Sequence, residues 1–349
     1  MAGRDDIERM DRELIDLISR RSEQYIRILK SRNDGNTYAA EDRSRLDALI
    51  EECNRGPLSH EIVKKIYVDI LSGSMTAVAP VTVAFLGPEG TFTAIAVRDL
   101  FGETITPLPQ RTIQDVFQQV EADAARYGVV PIENSTEGSV TYTLDELVET
   151  SLVIISEKFV RVSYSLLSPD RDLSSVRKIY AHPQTIGQCK GWIRGNLPNA
   201  EVVSVDSTSR AAELASKEEG AAAISSGLAA EIYGLNTLAT MIEDSRQNYT
   251  RFFLLGKKAG RPTGNDKTSV VCAVRDRPGA LLKLLKPFSD AGINMTKIES
   301  RPDKKKIWEY NFFIDFIGHM DDTVVRKALD RIKSETLFLK ILGSYPVGT

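Results

Sequence analysis

The chain has 349 residues with 45 Lys and Arg against 48 Asp and Glu, a formal charge of −3, and 42% apolar residues. At about 150 residues per domain this length predicts two or three cores, and the near-neutral charge without a Lys/Arg cluster argues against a nucleic-acid partner. Charge from Arg4 onward and in every 18-residue window argues against a signal peptide and a membrane span, while Cys53, Cys189 and Cys272, without C-x-x-C spacing, predict free thiols and a cytoplasmic location.

Residues 4–32 read as one long helix, with Ile7, Met10, Leu14, Leu17, Ile18, Tyr25 and Ile28 on a heptad-like apolar stripe. Helices over 39–54 and 58–74 follow breaks at Asn33-Asp34-Gly35-Asn36 and Gly56-Pro57. Three such helices make a poor single core, so this segment is expected to pair with a second copy. From Val81 short apolar strands (81–86, 127–131, 178–182, 201–205, 251–255) alternate with helices near 93–101, 112–124, 185–195, 208–218 and 225–233, an α/β pattern. The Gly- and Lys-rich stretch 256–267 reads as a linker. Beyond it, strand 268–274, helix 278–291, strands 293–301 and 308–318, helix 321–335 and strand 337–345 spell the ferredoxin-like βαββαβ order. The fold class is therefore multidomain, with segments at 1–76, 80–258 and 267–346.

Gly87-Pro88-Glu89-Gly90-Thr91 lacks both G-x-G-x-x-G and a P-loop Lys, which argues against a nucleotide site. His182 and Cys189 lack a further ligand pair, so no metal is expected, and three His without G-x-S-x-G argue against a Ser-His-Asp hydrolase. Five polar clusters fall at strand ends: 87–93, 131–138, His182-Pro183-Gln184 with Gln188-Cys189, Ser207-Thr208-Ser209, and Asn248 to Phe252. Any one alone is a turn with a helix cap. Five together, rich in hydroxyls and amides, point to one shared pocket for a small polar anion.

Thr250-Arg251-Phe252, Pro-Ile-Glu-Asn-Ser at 131–135 and Gly-Pro-Glu-Gly-Thr-Phe at 87–92 resemble the prephenate dehydratase family, from about Val81 to Leu255. The resemblance implies two α/β lobes like a periplasmic binding protein, a site in the cleft, and conversion of prephenate to phenylpyruvate, water and carbon dioxide without a cofactor. It implies Thr250 as donor to the departing hydroxyl, Arg251 as a holder of the charged substrate, and Asn134 and Ser135 as their catalytic neighbours. Thr91, Glu133, Gln184, Ser207, Thr208 and Phe252 would be further prephenate contacts. Aromatisation drives this reaction, so the site mainly has to hold a dianion and help hydroxide leave.

Gly279-Ala280-Leu281-Leu282 opens a helix whose free N–H groups favour a carboxylate, and Glu299 offers a charge to an ammonium group. These pieces, with Glu299-Ser300-Arg301-Pro302, resemble the phenylalanine-binding form of the ACT regulatory domain. The resemblance implies that Gly279, Ala280, Leu281, Leu282, Asn294, Glu299 and Ser300 bind phenylalanine between two subunits of a homo-oligomer, dimer or tetramer, and that phenylalanine inhibits.

Arg21 shares the heptad column of Ile7, Leu14 and Ile28, where a cation is costly unless an anion meets it. On a helix Arg32 lies about 16 Å further along and about 20° round, on the same face. The segment resembles the all-helical chorismate mutase family, which rearranges chorismate to prephenate with cations near the substrate's carboxylates. Arg4, Arg21 and Arg43 match that family's arginines, and Arg32 stands where it has Lys. Ser44 and Val78 replace a Glu and a Gln or Glu, and losing a donor costs on the order of a hundredfold. The departures predict a mutase that is weak or kept mainly for dimerisation. Two alternatives are a monofunctional dehydratase whose helices only dimerise and a non-catalytic sensor of small carboxylates.

Overall fold

The computed structural model describes residues 2–32, 38, 40–275, 277–302 and 310–348. The predicted break at Asn33 to Asn36, Asp276 before the predicted helix at 278, and the first residues of the predicted strand 308–318 lie outside them.

Helices α1 (Ala2–Ser31), α2 (Ala40–Cys53) and α3 (His60–Thr76) form the amino-terminal part. Ser59 starts α3, its hydroxyl accepting from the Ile62 N–H at 3.3 Å. Tyr25 and Leu29 of α1, Leu46 and Ile50 of α2, and Leu71 and Met75 of α3 are buried in one cluster with Val83, Phe85, Phe101 and Tyr127 of the following α/β unit. The helices thus complete their core against their own chain, which the expectation of pairing with a second copy did not include. The start of α1 takes no part in it: Ile7, Met10, Leu14 and Leu17 are each more than half exposed.

The α/β unit has two lobes. The first carries β1 (Thr82–Leu86), α4 (Phe92–Phe101), β2 (Thr106–Gln110), α5 (Ile113–Glu121), β3 (Tyr127–Asn134), β4 (Gly138–Ser139), α6 (Thr141–Glu149) and β5 (Val153–Arg161). The second carries β6 (Ser165–Ser168), β7 (Lys178–Ala181), α7 (Pro183–Gln188), α8 (Lys190–Asn196), β8 (Glu201–Ser204), α9 (Thr208–Ala215), β9 (Ala221–Ser225), α10 (Gly227–Tyr233) and β10 (Asn236–Thr240). The chain then returns to the first lobe as β11 (Tyr249–Gly256). The sheet orders are β2-β1-β3-β11-β5, with β4 beside β3, and β10-β6-β9-β7-β8. Two crossovers join the lobes and are tied together: the Val162 N–H donates to Asn248 O at 2.8 Å, the Ile242 N–H to Tyr164 O at 3.1 Å. Opposite them, Ser226 Oγ donates to Gly90 O at 2.6 Å. Gly90 has φ +87°, and a Cβ there would meet Ser209 Oγ at 3.2 Å and Ala229 Cβ at 3.4 Å, so only glycine lets the lobes approach.

The expected helix 185–195 is split at Cys189, where the Asp244 carboxylate accepts the N–H groups of Gly191 and Trp192 at 2.9 and 3.3 Å and starts α8. Strands β2, β4, β5, β6, β9 and β10 and helix α6 were not foreseen. Glu157 and Lys158 interrupt the apolar run of β5, and β9 is alanine-rich, becoming a strand because it is buried throughout between neighbours.

The carboxyl-terminal part is β12 (Asp266–Ala273), α11 (Ala280–Asp290), β13 (Met295–Pro302), β14 (Tyr310–Ile317), α12 (Thr323–Glu335) and β15 (Phe338–Pro346), an antiparallel sheet in the order β13-β14-β12-β15. Val270, Cys272, Ile314 and Phe316 face α11 and α12 through Leu284, Phe288, Val325 and Ile332. Val271, Phe313, Leu342 and Tyr345 face the first lobe and share its core with Ile154, Phe253 and Leu255. At this junction a Cβ on Gly343 would collide with the Ile154 carbonyl, so the two sheets meet backbone to backbone.

Candidate active site

Asn134 ends β3 and Thr250 stands opposite it on β11. Asn134 Nδ2 donates to Thr250 Oγ1 at 2.9 Å, to Asn248 Oδ1 at 2.7 Å and to Tyr249 O at 3.3 Å. Its Oδ1 accepts from the Thr136 and Glu137 N–H groups at 3.0 and 3.2 Å. Those two backbone groups can only donate, which fixes the orientation of the amide. Because Thr250 Oγ1 accepts from Asn134, its own proton is left to point elsewhere. The free direction is a cavity of about 300 Å³ between the lobes, lined by Phe92, Asn134, Glu137, Ser139, Tyr164, Gln184, Asn248 and Thr250, among others. Tyr164 packs edge-on against Phe92 with ring centres 5.5 Å apart. Burial pushes its phenol up to about 12, opposed by a Thr185 hydrogen bond and aided by Cys189, Glu243 and Glu137, so it stays a neutral donor at physiological pH.

The expected residues divide. Asn134, Thr250 and Gln184 line the cavity. Ser135 turns away, donating to Gln247 O at 3.1 Å and accepting from the Tyr249 N–H at 3.0 Å. Thr91 and Ser207 act as helix caps, accepting from the N–H groups of Ala94 and Arg210 at 3.4 and 3.0 Å, and Thr208 begins α9; none of the three borders the cavity. Phe252 is 1% exposed within the core cluster. Arg251 and Glu133 point through the sheet to its other face, since side chains alternate along a strand. Arg251 is 3% exposed and meets Glu157 at 2.7 Å, Asp315 at 2.6 Å and Glu133 at 3.3 Å, while its Nη2 donates to Tyr345 Oη at 3.1 Å. The assignment of Arg251, Glu133 and Phe252 to substrate contact is corrected by this geometry.

In the helical part, Arg21, Arg32 and Arg43 gather around Tyr25. The Arg21 guanidinium lies 5.6 Å from the rings of both Tyr25 and Tyr67, and that of Arg43 lies 4.8 Å from Tyr38. Arg32 pairs with Asp42 at 3.1 Å. Burial and Asp42 raise the Tyr25 pKa while Arg43 and Arg32 oppose the rise, which puts these charges within reach of one another. Arg21 Nη1 and Arg43 Nη2 are buried with no hydrogen-bond acceptor among the described residues, the donor set that a dicarboxylate would satisfy. Ser44 borders a cavity beside Arg43, and Val78 packs into the core. Arg4 is exposed, and its 17-residue separation from Arg21 along α1 is about 26 Å at 1.5 Å per residue, so it does not join this group within one chain.

Gly279 precedes α11 with φ +78°, and Leu281 and Leu282 beside it are 40% and 71% exposed. Asn294 and Ser300 are exposed as well. Glu299 does not join them: alternation along β13 turns it to the dehydratase side, where Ser139 Oγ donates to it at 3.0 Å.

A prephenate dehydratase family profile matches residues 83–260 and an ACT domain profile residues 268–334. The bifunctional chorismate mutase/prephenate dehydratase of Aquifex aeolicus (strain VF5) is 42% identical over 349 residues, covering 98% of this chain and 96% of that protein. The chain belongs to the bifunctional chorismate mutase/prephenate dehydratase family. The corresponding enzyme of Pseudomonas aeruginosa is 39% identical, with 97% and 95% covered. The solved structure of prephenate dehydratase from Arthrobacter aurescens in complex with L-Phe is 38% identical with TM-score 0.70, over 76% of this chain and 90% of that one. A structure described as GqqA, a novel type of quorum quenching acylase, is 31% identical with TM-score 0.71, over 76% and 98%.

Among the cleft residues that sequence reasoning did not single out are Asn248, Tyr164 and Ser139. Asn248 lay inside a recognised cluster without being singled out, and its amide links Asn134 to Gln188. Tyr164 carries no local signal, because its place depends on how the first crossover enters the second lobe.

Proposed function

We propose that the cleft binds prephenate and releases phenylpyruvate, water and carbon dioxide, and that the helical part supplies prephenate from chorismate. The Asn134–Thr250 hydrogen bond of 2.9 Å carries this reading, because it leaves the threonine proton for the substrate. As the ring C–O bond breaks, its electron pair goes to the oxygen, which takes a proton and leaves as water. The electrons of the breaking C–CO₂ bond complete the aromatic ring. Threonine is a weak acid, so Thr250 serves as a hydrogen-bond donor to the departing oxygen and solvent supplies the net proton. Tyr164, Gln184 and Asn248 add neutral polar groups to the same cavity. Arg161 borders the adjoining cavity, which shares Phe92 with the cleft, and it takes the carboxylate-holding role once assigned to Arg251.

Arg21, Arg32 and Arg43 form the mutase anion site, with Arg4 contributed by a second copy. The bare apolar start of α1 supports a homo-oligomer, because water-exposed Ile7, Met10, Leu14 and Leu17 gain free energy when a partner covers them. Phenylalanine binds the ACT part near Gly279, Ala280, Leu281, Leu282, Asn294 and Ser300 and inhibits. No described helix is long and apolar enough to cross a membrane, and the three free cysteines suit a reducing cytoplasm.

Supplying prephenate and chorismate separately, and following phenylpyruvate, tests all of this. Product from both supports the bifunctional reading, and product from prephenate alone reduces the helices to dimerisation. Binding of prephenate without product would leave a carboxylate sensor and sink the enzymatic reading.

A further inference from the structure

The two strands that carry Asn134 and Thr250 on the cleft side carry Glu133 and Arg251 on the opposite side. Those two residues end in the ACT sheet. Arg251 donates to Asp315 at 2.6 Å and to Tyr345 at 3.1 Å; Ser269 Oγ donates to Asp315 at 2.6 Å and receives the Tyr345 proton at 2.5 Å, closing a ring of directed hydrogen bonds. Glu157 binds Arg251 with one oxygen and Lys267 with the other, each at 2.7 Å. Glu133 is held by Lys297, which also donates to Ser139 at 3.1 Å. Ser139 in turn lines the cleft and donates to Glu299. Arg301 completes the row on Asp145 in the middle of α6.

Three cations (Arg251, Lys267, Lys297) and three carboxylates (Glu133, Glu157, Asp315) therefore neutralise one another across a buried junction. Strand β13 has two faces of different use. Lys297, Glu299 and Arg301 grip the β3–β4 hairpin and α6, while Ile298 and Ser300 alternate onto the side of α11. Any tilt of β13 caused by a ligand against its α11 side must move Lys297 and Glu299 against Glu133 and Ser139, one residue or one hydrogen bond from the cleft.

We propose that Arg251 and Glu133 are positioning residues through which the ACT sheet sets the Asn134–Thr250 pair, making this charged junction the route by which an amino acid bound to the ACT part alters turnover. The inference rests on the dehydratase reading and names the path of its regulation. In place of substrate binding, it gives Arg251 a role in holding β11 at a register that aims Thr250 into the cleft.

The test uses the full chain, prephenate as substrate and phenylalanine as effector. Lys297→Met and Tyr345→Phe should keep the uninhibited kcat within about threefold, and raise the phenylalanine concentration for half inhibition about tenfold or more. Lys340→Met is the control. Lys340 also bridges the two parts, donating to the carbonyls of Leu147 and Val148 at 2.9 and 3.0 Å, but touches neither catalytic strand. It should leave inhibition unchanged. Arg251→Lys should lower kcat with KM within about threefold, as a positioning role demands. Unchanged inhibition in both Lys297→Met and Tyr345→Phe overturns the route, and so does an equal shift in Lys340→Met, which would mean that any weakened docking suffices. A rise in KM at unchanged kcat in Arg251→Lys overturns the positioning role. A wild-type chain that does not turn over prephenate removes the dehydratase reading itself, and a wild-type chain that is active but indifferent to phenylalanine removes the route alone.

Discussion

Replacing Asn134 by aspartate isolates the hydroxyl geometry at the centre of the cleft. The substitution keeps the shape and keeps an oxygen to accept from Thr136 and Glu137, but deletes the Nδ2 protons that reach Thr250 and Asn248 at 2.9 and 2.7 Å. Thr250 would then turn its proton onto the new carboxylate and leave the substrate without its donor, a loss worth on the order of 10² in kcat. The carboxylate also opposes the negative charge that develops on the departing oxygen as the C–O bond breaks. A substrate oxygen within hydrogen-bond range of Thr250 would lie about 5 Å away, and at an effective dielectric of about 20 one such pair costs about 3 kcal/mol, roughly another 10². Asn134→Asp should therefore lower kcat/KM about 10⁴-fold, and neutral Asn134→Ala only about 10²-fold. The assay is phenylpyruvate release from prephenate, with thermal melting of both variants to check folding. Aspartate and alanine variants of equal activity would refute the repulsion, and an aspartate variant as active as the wild type would refute the direction of the Thr250 proton as well.

Arg21→Ala should lower phenylpyruvate formation from chorismate by about 10² while leaving turnover of prephenate intact, since Arg21 belongs to the helical anion site and is remote from the cleft. Burial pushes the thiols of Cys189 and Cys272 up to about 12, and Cys53 is exposed, so a thiol reagent at pH 8 should label one cysteine per native chain and three after denaturation. Glu133 is half-buried, and although burial opposes its charge, Lys297 and Arg251 hold its pKa below the ordinary carboxylate value of about 4.3. A depressed carboxylate stabilises the fold fully above its unfolded pKa and loses that contribution as pH falls through the folded one. The thermal midpoint should accordingly drop below about pH 4, and Glu133→Gln should remove part of that acid dependence; an identical profile in the variant would contradict the pairing.

Periodicity in the sequence was enough for the three-part organisation. The heptad stripe gave α1, the alternation of strands and helices gave the α/β class of the middle part, whose two lobes came from the family resemblance, and the βαββαβ order gave the carboxyl-terminal sheet. Asn134 and Thr250 were named through the family resemblance of their motifs, and the fold places them in hydrogen-bond contact at 2.9 Å. Legibility failed wherever the face of a strand mattered. Thr250 and Arg251 are adjacent in one motif, yet a strand sends neighbours to opposite sides, and the motif does not say which side is the cleft. That parity is set by the register of β11 against β3, which shifts between Arg251 and Phe252. The same holds for Glu299, which its position on β13 turns from the expected amino-acid site to Ser139.

The sequence by itself determined the three-part organisation and most of the helices, since these follow from local patterns of polarity and spacing. Tertiary structure alone decided that Arg251, Glu133 and Glu299 belong to a junction between two parts of the chain. Buried charges need partners, and while Glu157 reaches Arg251 from the neighbouring strand of the same sheet, Asp315 for Arg251, Lys297 for Glu133 and Ser139 for Glu299 are brought close only when the ACT sheet packs against the dehydratase sheet.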